Sequence, residues 1–550
     1  MPPDDHGFDA LVENYYQAWF RYHPSRAVDA GLPGYAGQLR PYLDDDIGAL
    51  IALNEKLLNG LDEFEADQLD QDRAMDLAIL RGAALIEIQE LRDSDWRHHN
   101  PLEFLPLRTL HQLTLRPVQH RGRALKQCLT AIPEYLRGAR AELALTPELI
   151  PILWLETAWQ EALTGADFVR ELHQAPMVYR SITNLDELRP LQEAAAHALI
   201  DFAHFLEHDI GPSSEGDLAC GRRHFERLLK LRHFLDVDLE QLHGLGTRLA
   251  ADATAQLEAA CRELGATDVA AALARLEPAG TDDTDTLAVY QRTLQLAREF
   301  LIQHDLVSLP ARESLQVVGT PLFLHDQIPF AAYYEPSPGD LDQHGVFFVT
   351  PPEEGETNFE HSPTVIRHTC VHEAWPGHHL QFVTANLRYT SRSLPRLLNP
   401  SATLYEGWAL YSERLMHEQG FLNGPESRLI LARDYLWRAL RILIDVELHT
   451  GGLGVDVAAE RLQESLGFDY HHARGELTWY SLAPTQPMSY ATGQAMILSA
   501  RKHPLGAGTL GLKQFHDRLL ACGSIALPLV LRRQFGESLC QDVRREVFQS

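Results

Sequence analysis

The feature that most constrains the fold is a Pro-Gly pair between histidines in the segment 371–381, Val-His-Glu-Ala-Trp-Pro-Gly-His-His-Leu-Gln. Proline inside a helix removes one backbone hydrogen bond and clashes with the carbonyl four residues earlier, here that of His372. Glycine then widens the range of backbone angles at the next position. The pair therefore predicts a looped-out or π-type turn at Pro376 and Gly377 in any helix that crosses this segment.

The spacing of the histidines makes that distortion chemically important. In a regular helix, His372 and His378 would be separated by about 240° of rotation and would point in different directions. His379 would face the same side as His372 but about 10 Å further along the axis, too far for two bonds of about 2 Å to one ion. A deformed turn would bring His378 beside His372, and His379 is the alternative second ligand.

Carboxylates accompany these histidines. Glu373 directly follows the first histidine, which is the position of the general base in zinc peptidases with a His-Glu motif. Glu406 lies 28 residues after His378, a separation that fits two antiparallel helices, and Glu413 falls near the same helix face. Two imidazoles and a downstream carboxylate are the ligand set of a catalytic zinc site. The alternatives are a Pro-Gly turn with surface histidines and an exposed, charged helix face.

The rest of the chain indicates a mainly α fold. Leu and Ala recur at three- and four-residue spacing through most of the 550 residues, which is typical of amphipathic helices. The length favours two lobes, a helical region 1–305 and a catalytic region 306–550. The stretches 315–318 and 346–349 are β-branched or aromatic and predict a small sheet before the histidine segment. Its edge could bind a substrate backbone, or the sheet could only support the helix.

Charge and composition limit the partners. The net charge of −28 at pH 7 argues against nucleic acid and anionic membrane surfaces, because both attract basic patches. No apolar run approaches the ~20 residues needed to span a bilayer. Residues 1–6 lack the basic and apolar regions of a signal peptide, and the six cysteines form no Cys-x-x-Cys pair. We therefore expect a cytoplasmic protein with reduced thiols and no membrane partner.

Two motifs resemble those of the DUF885 family of bacterial proteins. They are His-Glu-x-x-Pro-Gly-His-His-x-Gln over 372–381 and Glu-Gly-Trp-Ala-x-Tyr-x-Glu over 406–413. Further similarities extend over nearly the whole chain, at 15–31, 221–246, 331–336, 441–449, 515–517 and 523–525. The family resembles gluzincin metallopeptidases and related carboxypeptidases in fold. This implies a mainly α, two-lobed body with a deep cleft and a small β-sheet next to the metal-binding helix.

The resemblance implies roles for the principal candidates. Zinc would be held by His372, His378 and Glu406, and Mn, Co or Fe are alternatives because mixed histidine and carboxylate ligands accept several metals. Glu373 would move the proton of an attacking water. Tyr490, in a Ser-Tyr-x-x-Gly context, would stabilise the oxyanion that develops during hydrolysis, and a buried structural tyrosine is the alternative.

The remaining candidates would orient ligands or contact substrate. Glu413 or Asp445 would orient a ligating histidine, although Asp445 could equally belong to a surface ion pair on its helix. The family more often has Arg where Trp479 stands and Gly where Thr485 stands, and these departures fall at its substrate-carboxylate contacts. The candidates for substrate contact or support of the ligands are His379, Glu413, Asp445, His449, Arg474 and Gln486.

The expected reaction is zinc-dependent hydrolysis of peptide bonds. An enclosed cleft would restrict substrates to short peptides or chain ends, as in a carboxypeptidase or oligopeptidase. The sequence leaves exo and endo cleavage open, and a homodimer is compatible with it. Two alternatives are hydrolysis of a non-peptide amide and a non-catalytic helical binding protein that retains an inactive metal site.

Overall fold

The chain folds mainly into α-helices with one small sheet, which confirms the fold class that the sequence predicts. A computed structural model describes residues 5–182, 184–276, 283–320, 328, 330–352, 359–388, 393–506 and 508–549. The chain forms two compact units, Met1–Leu218 with Ser337–Gly339, and Ala219–Pro336 with Asp340–Ser550. The deep cleft stays a prediction.

The first unit is helical wherever secondary structure is regular in its described part. Apolar residues at helical spacing face its interior, as Leu188, Ala195 and Leu199 do in the ninth helix. Its helices are α1 (Asp5–Trp19), α2 (Pro24–Asp29), α3 (Asp44–Leu61), α4 (Gln71–Asp93), α5 (Leu107–Leu115), α6 (Arg121–Leu143), α7 (Ile152–Glu171), α8 (Pro176–Tyr179) and α9 (Leu185–Phe205).

The second unit contains the residues of both motifs. Its helices are α10 (Arg222–Leu231), α11 (Leu239–Glu263), α12 (Val269–Leu273), α13 (Asp283–Gln303), α14 (Pro363–Glu373), α15 (His378–Leu387), α16 (Leu394–Leu398), α17 (Ala402–Glu418), α18 (Pro425–Thr450), α19 (Val455–Leu466), α20 (Tyr470–Leu482), α21 (Ser489–Gly506), α22 (Leu512–Leu519), α23 (Leu527–Phe535) and α24 (Glu537–Phe548). Within the described part of the chain, no helix is both long and apolar enough to cross a membrane.

The sheet precedes the histidine segment in sequence. It contains β1 (Ser314–Gly319), β2 (Ala331–Tyr334) and β3 (His344–Val349) in the order β1-β3-β2. β3 pairs in parallel with β1 and antiparallel with β2. The predicted stretches 315–318 and 346–349 lie within β1 and β3, whereas β2 has only four residues and carried no strand signal of its own.

Helices α17 and α21 pack with their backbones in contact. A Cβ atom on Gly407 would lie 2.7 Å from Cα of Gly493, and a Cβ atom on Gly493 would lie 2.2 Å from the carbonyl oxygen of Thr403. Only glycine permits so close an approach. This contact sets Glu406 of α17 against the first turn of α21.

Candidate metal centre

The predicted distortion at the Pro-Gly pair takes the form of a break between two helices. α14 ends at Glu373, α15 begins at His378, and the connection includes a cis Trp375–Pro376 peptide bond. A Cβ atom on Gly377 would lie 1.7 Å from the carbonyl oxygen of His372. Only glycine fits here, because the chain reverses direction and packs against the end of α14. This reversal brings the side chain of His378 close to that of His372.

Three buried side chains meet at this break. Ligand-capable atoms of His372, His378 and Glu406 all lie within 4.8 Å of one another. Oε2 of Glu406 lies 3.2 Å from Nε2 of His378 and 3.8 Å from Nε2 of His372. Tetrahedral ligands with bonds of about 2.1 Å lie roughly 3.4 Å apart, so these separations suit a zinc-like ion.

Glu413 contacts the ring nitrogen of His372 that faces away from Glu406. Nδ1 of His372 is 2.6 Å from Oε1 of Glu413, and because a carboxylate only accepts, Nδ1 carries the proton. In the neutral ring, Nε2 then carries the free lone pair that can bind a metal ion, and it faces Glu406. Nδ1 of His368 lies 4.0 Å from the other oxygen of Glu413. The sequence reasoning missed His368, although its position four residues before His372 places both rings on one helix face.

The electrostatics of the cluster favour a cation. Burial alone would lower the pKa of His372, but the nearby carboxylates of Glu406, Glu413 and Glu373 raise it to about 10. Burial alone would raise the pKa of Glu406, but the charge of His378 and the close approach of both imidazoles hold it well below its usual range.

Two polar atoms of the cluster also lack a hydrogen bond. Among the described residues, Oε2 of Glu406 and Nδ1 of His378 are buried without such a partner. A buried carboxylate oxygen that faces two imidazoles needs a further charge or hydrogen bond to be satisfied. The donor set and this unsatisfied oxygen fit a divalent metal ion.

His379 points away from the cluster and is 0% exposed. Its Nδ1 lies 3.0 Å from the hydroxyl of Tyr333 in β2, and its Nε2 lies 3.2 Å from Oε2 of Glu313, which directly precedes β1. Both ring nitrogens are therefore engaged with the sheet. Of the two alternative second ligands, the structure groups His378 with His372 and uses His379 to connect α15 to β1 and β2.

Tyr490 lies beside Glu406 in the first turn of α21. Burial raises the pKa of its phenol well above the usual value, and the charge of Glu406 raises it further. The hydroxyl therefore stays protonated and can donate a hydrogen bond. The guanidinium carbon of Arg441 lies 4.6 Å from the centre of the Tyr490 ring and holds the ring by a cation–π contact.

Gln486 contacts a tyrosine near the cluster. Its Nε2 donates to the hydroxyl of Tyr405 at 3.3 Å. The ring of Tyr405 is centred 6.3 Å from that of His378 and 5.7 Å from that of Phe382. Sequence reasoning named Gln486 but missed Tyr405 and Phe382, although Tyr405 directly precedes the Glu406 motif.

The structure does not direct Asp445 toward a ligating histidine. Its two oxygens accept hydrogen bonds from the backbone N–H groups of Thr485 at 3.2 Å and Met488 at 3.1 Å. The side chain is 0% exposed, so the surface ion pair is also excluded. Asp445 instead holds the loop that leads into α21.

Two further candidates for substrate contact are engaged elsewhere. His449 is buried, with Nδ1 accepting from the backbone N–H of Cys220 at 3.3 Å and Nε2 lying 3.1 Å from the carbonyl oxygen of Tyr480. A ring with both nitrogens bonded in the interior does not present a group to substrate. Arg474 donates to the hydroxyl of the exposed Tyr470 at 3.3 Å, one turn earlier in α20.

A second group of metal-ligating side chains lies in the first unit. Ligand-capable atoms of His204, Glu207 and His208 lie within 4.8 Å of one another, but all three residues are exposed. Exposed groups of this kind remain solvated without an ion, so the buried cluster is the stronger candidate.

Together, the fold and the site define a mainly helical protein with a buried His-His-Glu centre. The chain belongs to the DUF885 family, described as bacterial protein of unknown function, whose model matches residues 24–534. A comparison with curated proteins found no match.

Two solved structures share the fold. One, described as "a putative lipoprotein of unknown function" from Shewanella oneidensis, is 19% identical, with a TM-score of 0.76 over 96% of this chain and 99% of that one. The other, "the putative lipoprotein from Colwellia psychrerythraea", is 15% identical, with a TM-score of 0.80 over 100% of both chains. Identities this low indicate a common fold alone.

Proposed function

We propose that this protein is a zinc-dependent hydrolase of peptide bonds that acts on short peptides or chain ends. The observation that carries the proposal is the buried group of His372, His378 and Glu406, with ligand-capable atoms within 4.8 Å of one another. Three protein ligands of this kind leave a coordination position open, as catalytic rather than structural zinc sites do. Mn, Co and Fe share the preference for this donor set.

The ion would supply Lewis-acid chemistry: it would polarise the scissile carbonyl and lower the pKa of a coordinated water toward 7. His372, His378 and Glu406 would hold it. Glu413 keeps His372 in the tautomer whose Nε2 is free, because Glu413 accepts the Nδ1 proton.

Glu373 and Tyr490 would carry out the proton and charge steps. Glu373 is half-buried at the end of α14, directly after His372. Its carboxylate accepts the proton of the attacking water and delivers it to the leaving amine. The Tyr490 hydroxyl, kept protonated by burial and by Glu406, donates a hydrogen bond to the oxyanion of the tetrahedral intermediate.

The first experiment measures metal by elemental mass spectrometry. Wild type is compared with His378→Ala and His379→Ala, all in a His204→Ala/His208→Ala background, so that the exposed group contributes no ion. We expect about one zinc per chain, lost only with His378→Ala. Retention of zinc by His378→Ala, or its loss from His379→Ala alone, would reassign the second ligand.

The second experiment tests the reaction. The zinc-loaded protein is incubated with a panel of short peptides, with and without free termini, and with non-peptide amides; a chelator-treated sample serves as the control. We expect cleavage of peptides that disappears on metal removal and returns with zinc. Cleavage of the non-peptide amides alone would redirect the substrate assignment, and failure to bind any transition metal would refute the hydrolase.

We further infer that the protein resides in the cytoplasm. Five of the six cysteines are buried, and a reducing compartment keeps such thiols from oxidation. The description as lipoproteins belongs to the two similar structures. Fractionation of the source cells tests this location, and recovery of the chain in a lipid-modified, membrane-attached form would contradict it.

A further inference from the structure

The loop between α20 and α21 contains Thr485, which has a backbone conformation that is unfavourable for a threonine side chain. Thr485 has a φ of +69°, in the left-handed region, and its β-branched side chain crowds the backbone there. Glycine adopts this region without that crowding. Such a conformation persists only where surrounding contacts enforce it, and it is concentrated at functional sites.

Two fully buried side chains enforce the conformation of Thr485. Asp445 of α18 accepts hydrogen bonds from the backbone N–H groups of Thr485 and Met488. Nε2 of His233, which follows α10, lies 2.9 Å from the Thr485 hydroxyl. The two holding residues are remote from the loop in sequence, so the contacts form only in the folded chain.

His233 also reaches the start of the helix that carries Glu406. Its Nδ1 lies 2.9 Å from the hydroxyl of Ser401, which immediately precedes α17. Burial lowers the pKa of His233 to about 3, so the ring is neutral and uses one nitrogen as donor and the other as acceptor. The ring therefore joins the start of α17 to the loop before α21.

The loop leads directly to two candidate site residues. Gln486 follows Thr485 and bonds to Tyr405, and Tyr490 lies five residues after Thr485, beside Glu406. The Ser489 hydroxyl donates to the Thr485 carbonyl at 2.8 Å, which connects the strained residue to the first turn of α21. A change of φ at Thr485 would therefore move the start of that helix.

We propose that His233 and Asp445 are positioning residues: they hold Thr485 in the left-handed conformation and so place Tyr490 against Glu406 and Gln486 against Tyr405. The inference rests on the proposed function, which it deepens. His233 acts through Thr485, and its contribution depends on the side chain at 485, because glycine would adopt the same conformation unaided.

A four-variant cycle tests that dependence. It comprises wild type, His233→Leu, Thr485→Gly and the double variant, each loaded with zinc. We expect His233→Leu to lower kcat about tenfold to a hundredfold with KM and zinc content unchanged, because small displacements of reacting groups are costly. Thr485→Gly alone should stay within about twofold of wild type, and the double variant should recover to a similar value.

A second readout is independent of activity. The near-ultraviolet circular dichroism difference between wild type and Tyr490→Phe gives the signal of the packed Tyr490 ring. His233→Leu should lose that signal, and the double variant should regain it. Ser401→Ala, which removes the other partner of His233 together with the Ser401–Thr403 bond, is the milder substitution if His233→Leu folds poorly. It should give a smaller loss of the Tyr490 signal that Thr485→Gly also reverses.

His516 provides a matched control. It is also a fully buried histidine, bonded to Tyr411 and to the Leu306 carbonyl. His516→Leu should lose stability, and Thr485→Gly should restore neither its stability nor its turnover. Rescue of this control by Thr485→Gly would show that the glycine acts generally and would overturn the inference.

Two other outcomes decide the inference. A double variant as impaired as His233→Leu in both readouts, or a His233→Leu protein with wild-type kcat and an unchanged Tyr490 signal, would refute it. Failure of the wild type to hydrolyse any substrate would refute the proposed function instead, and the dichroism cycle would still decide whether His233 positions Tyr490 through Thr485.

Discussion

Nδ1 of His372 lies 2.6 Å from Oε1 of Glu413, while Nε2 on the other side of the same ring faces Glu406. The two carboxylates thus act on opposite sides of one imidazole. Glu413 is 2% exposed; the adjacent imidazoles of His368 and His372 outweigh the effect of burial and hold its pKa below the usual range. Glu413 therefore stays ionised, accepts the Nδ1 proton of His372 and holds that imidazole in one orientation.

Replacing Glu413 by glutamine should weaken metal binding by about 10- to 100-fold, because the amide can donate to Nδ1 as well as accept from it and carries no charge to balance the centre. Competition with a chromogenic chelator measures the affinity. Glu418→Gln, on the same helix but paired with Arg501, is the matched control and should bind metal like wild type. Equal affinities for the two variants would contradict the orienting role.

Glu373→Gln should retain the metal and lose turnover by about 10²- to 10⁴-fold, because the amide cannot accept the proton of the attacking water. Steady-state kinetics on the peptide found in the substrate screen, alongside the zinc content, measures this. Glu426→Gln, a carboxylate bonded to Thr364 at the other end of α14, should keep wild-type kcat. Turnover by Glu373→Gln at the wild-type rate would remove Glu373 from the mechanism.

Tyr490→Phe should lower kcat by about 10²- to 10³-fold while KM and zinc content stay unchanged, because the lost hydroxyl acts only on the developing oxyanion. Tyr470→Phe, whose tyrosine is 44% exposed on α20, is the control. If Tyr490→Phe changed KM alone, its hydroxyl would have a substrate-binding role in place of oxyanion stabilisation.

His379→Ala should destabilise the protein by about 1–3 kcal/mol and keep the metal, because it removes the buried ring that bonds to Tyr333 and Glu313. Tyr333→Phe, which removes only one hydroxyl, should cost about 0.5–1.5 kcal/mol. Urea denaturation of the zinc-loaded proteins measures both. A His379→Ala protein as stable as wild type would refute the role of this ring in connecting α15 to the sheet.

The buried His516 should make stability depend on pH. Burial lowers its pKa to about 4, whereas an unfolded histidine titrates near 6.5. Below pH 6.5 the unfolded chain takes up this proton before the folded one, so stability falls as the pH drops from 6.5 to 4. The contribution of His516 is about 1.4 kcal/mol per pH unit across that window.

His516→Gln isolates this contribution, since other groups titrate equally in both proteins. The free energy of unfolding of wild type minus that of His516→Gln should decrease as the pH is lowered from 6.5 to 4.5 and stay constant from pH 7 to 8. Parallel pH profiles for the two proteins would show that His516 is not held neutral by burial.

Local chemistry made part of the site predictable from sequence. The amphipathic period indicated helices, and the limits that Pro376 and Gly377 place on a helix indicated a distortion between His372 and His378. The physical reason for Gly377 was nevertheless different from the expected one. Its missing Cβ is needed for the approach to the His372 carbonyl, a contact that no local preference reveals.

Tertiary contacts determined the rest. The choice between His378 and His379 depends on Tyr333 in β2 and on Glu313 just before β1, and the sequence did not specify the register of that sheet. Asp445 was expected to orient a ligand because the helix face of Arg441, Asp445 and His449 resembles one that lines the cleft in the family. Its partners are backbone amides of a distant loop, and such partners leave no signature in residue types.

The contact between Gly407 and Gly493 sets the distance between α17, which carries Glu406, and α21, which carries Tyr490, through main-chain atoms. Main-chain atoms have no alternative rotamers, so this spacing survives replacement of any neighbouring side chain. Surrounding residues such as Phe382 and Tyr405 can therefore diverge, and with them the substrate preference of the proposed hydrolase, without altering the separation of the two helix backbones. A single methyl group at either glycine would force the two helices apart and change that separation directly.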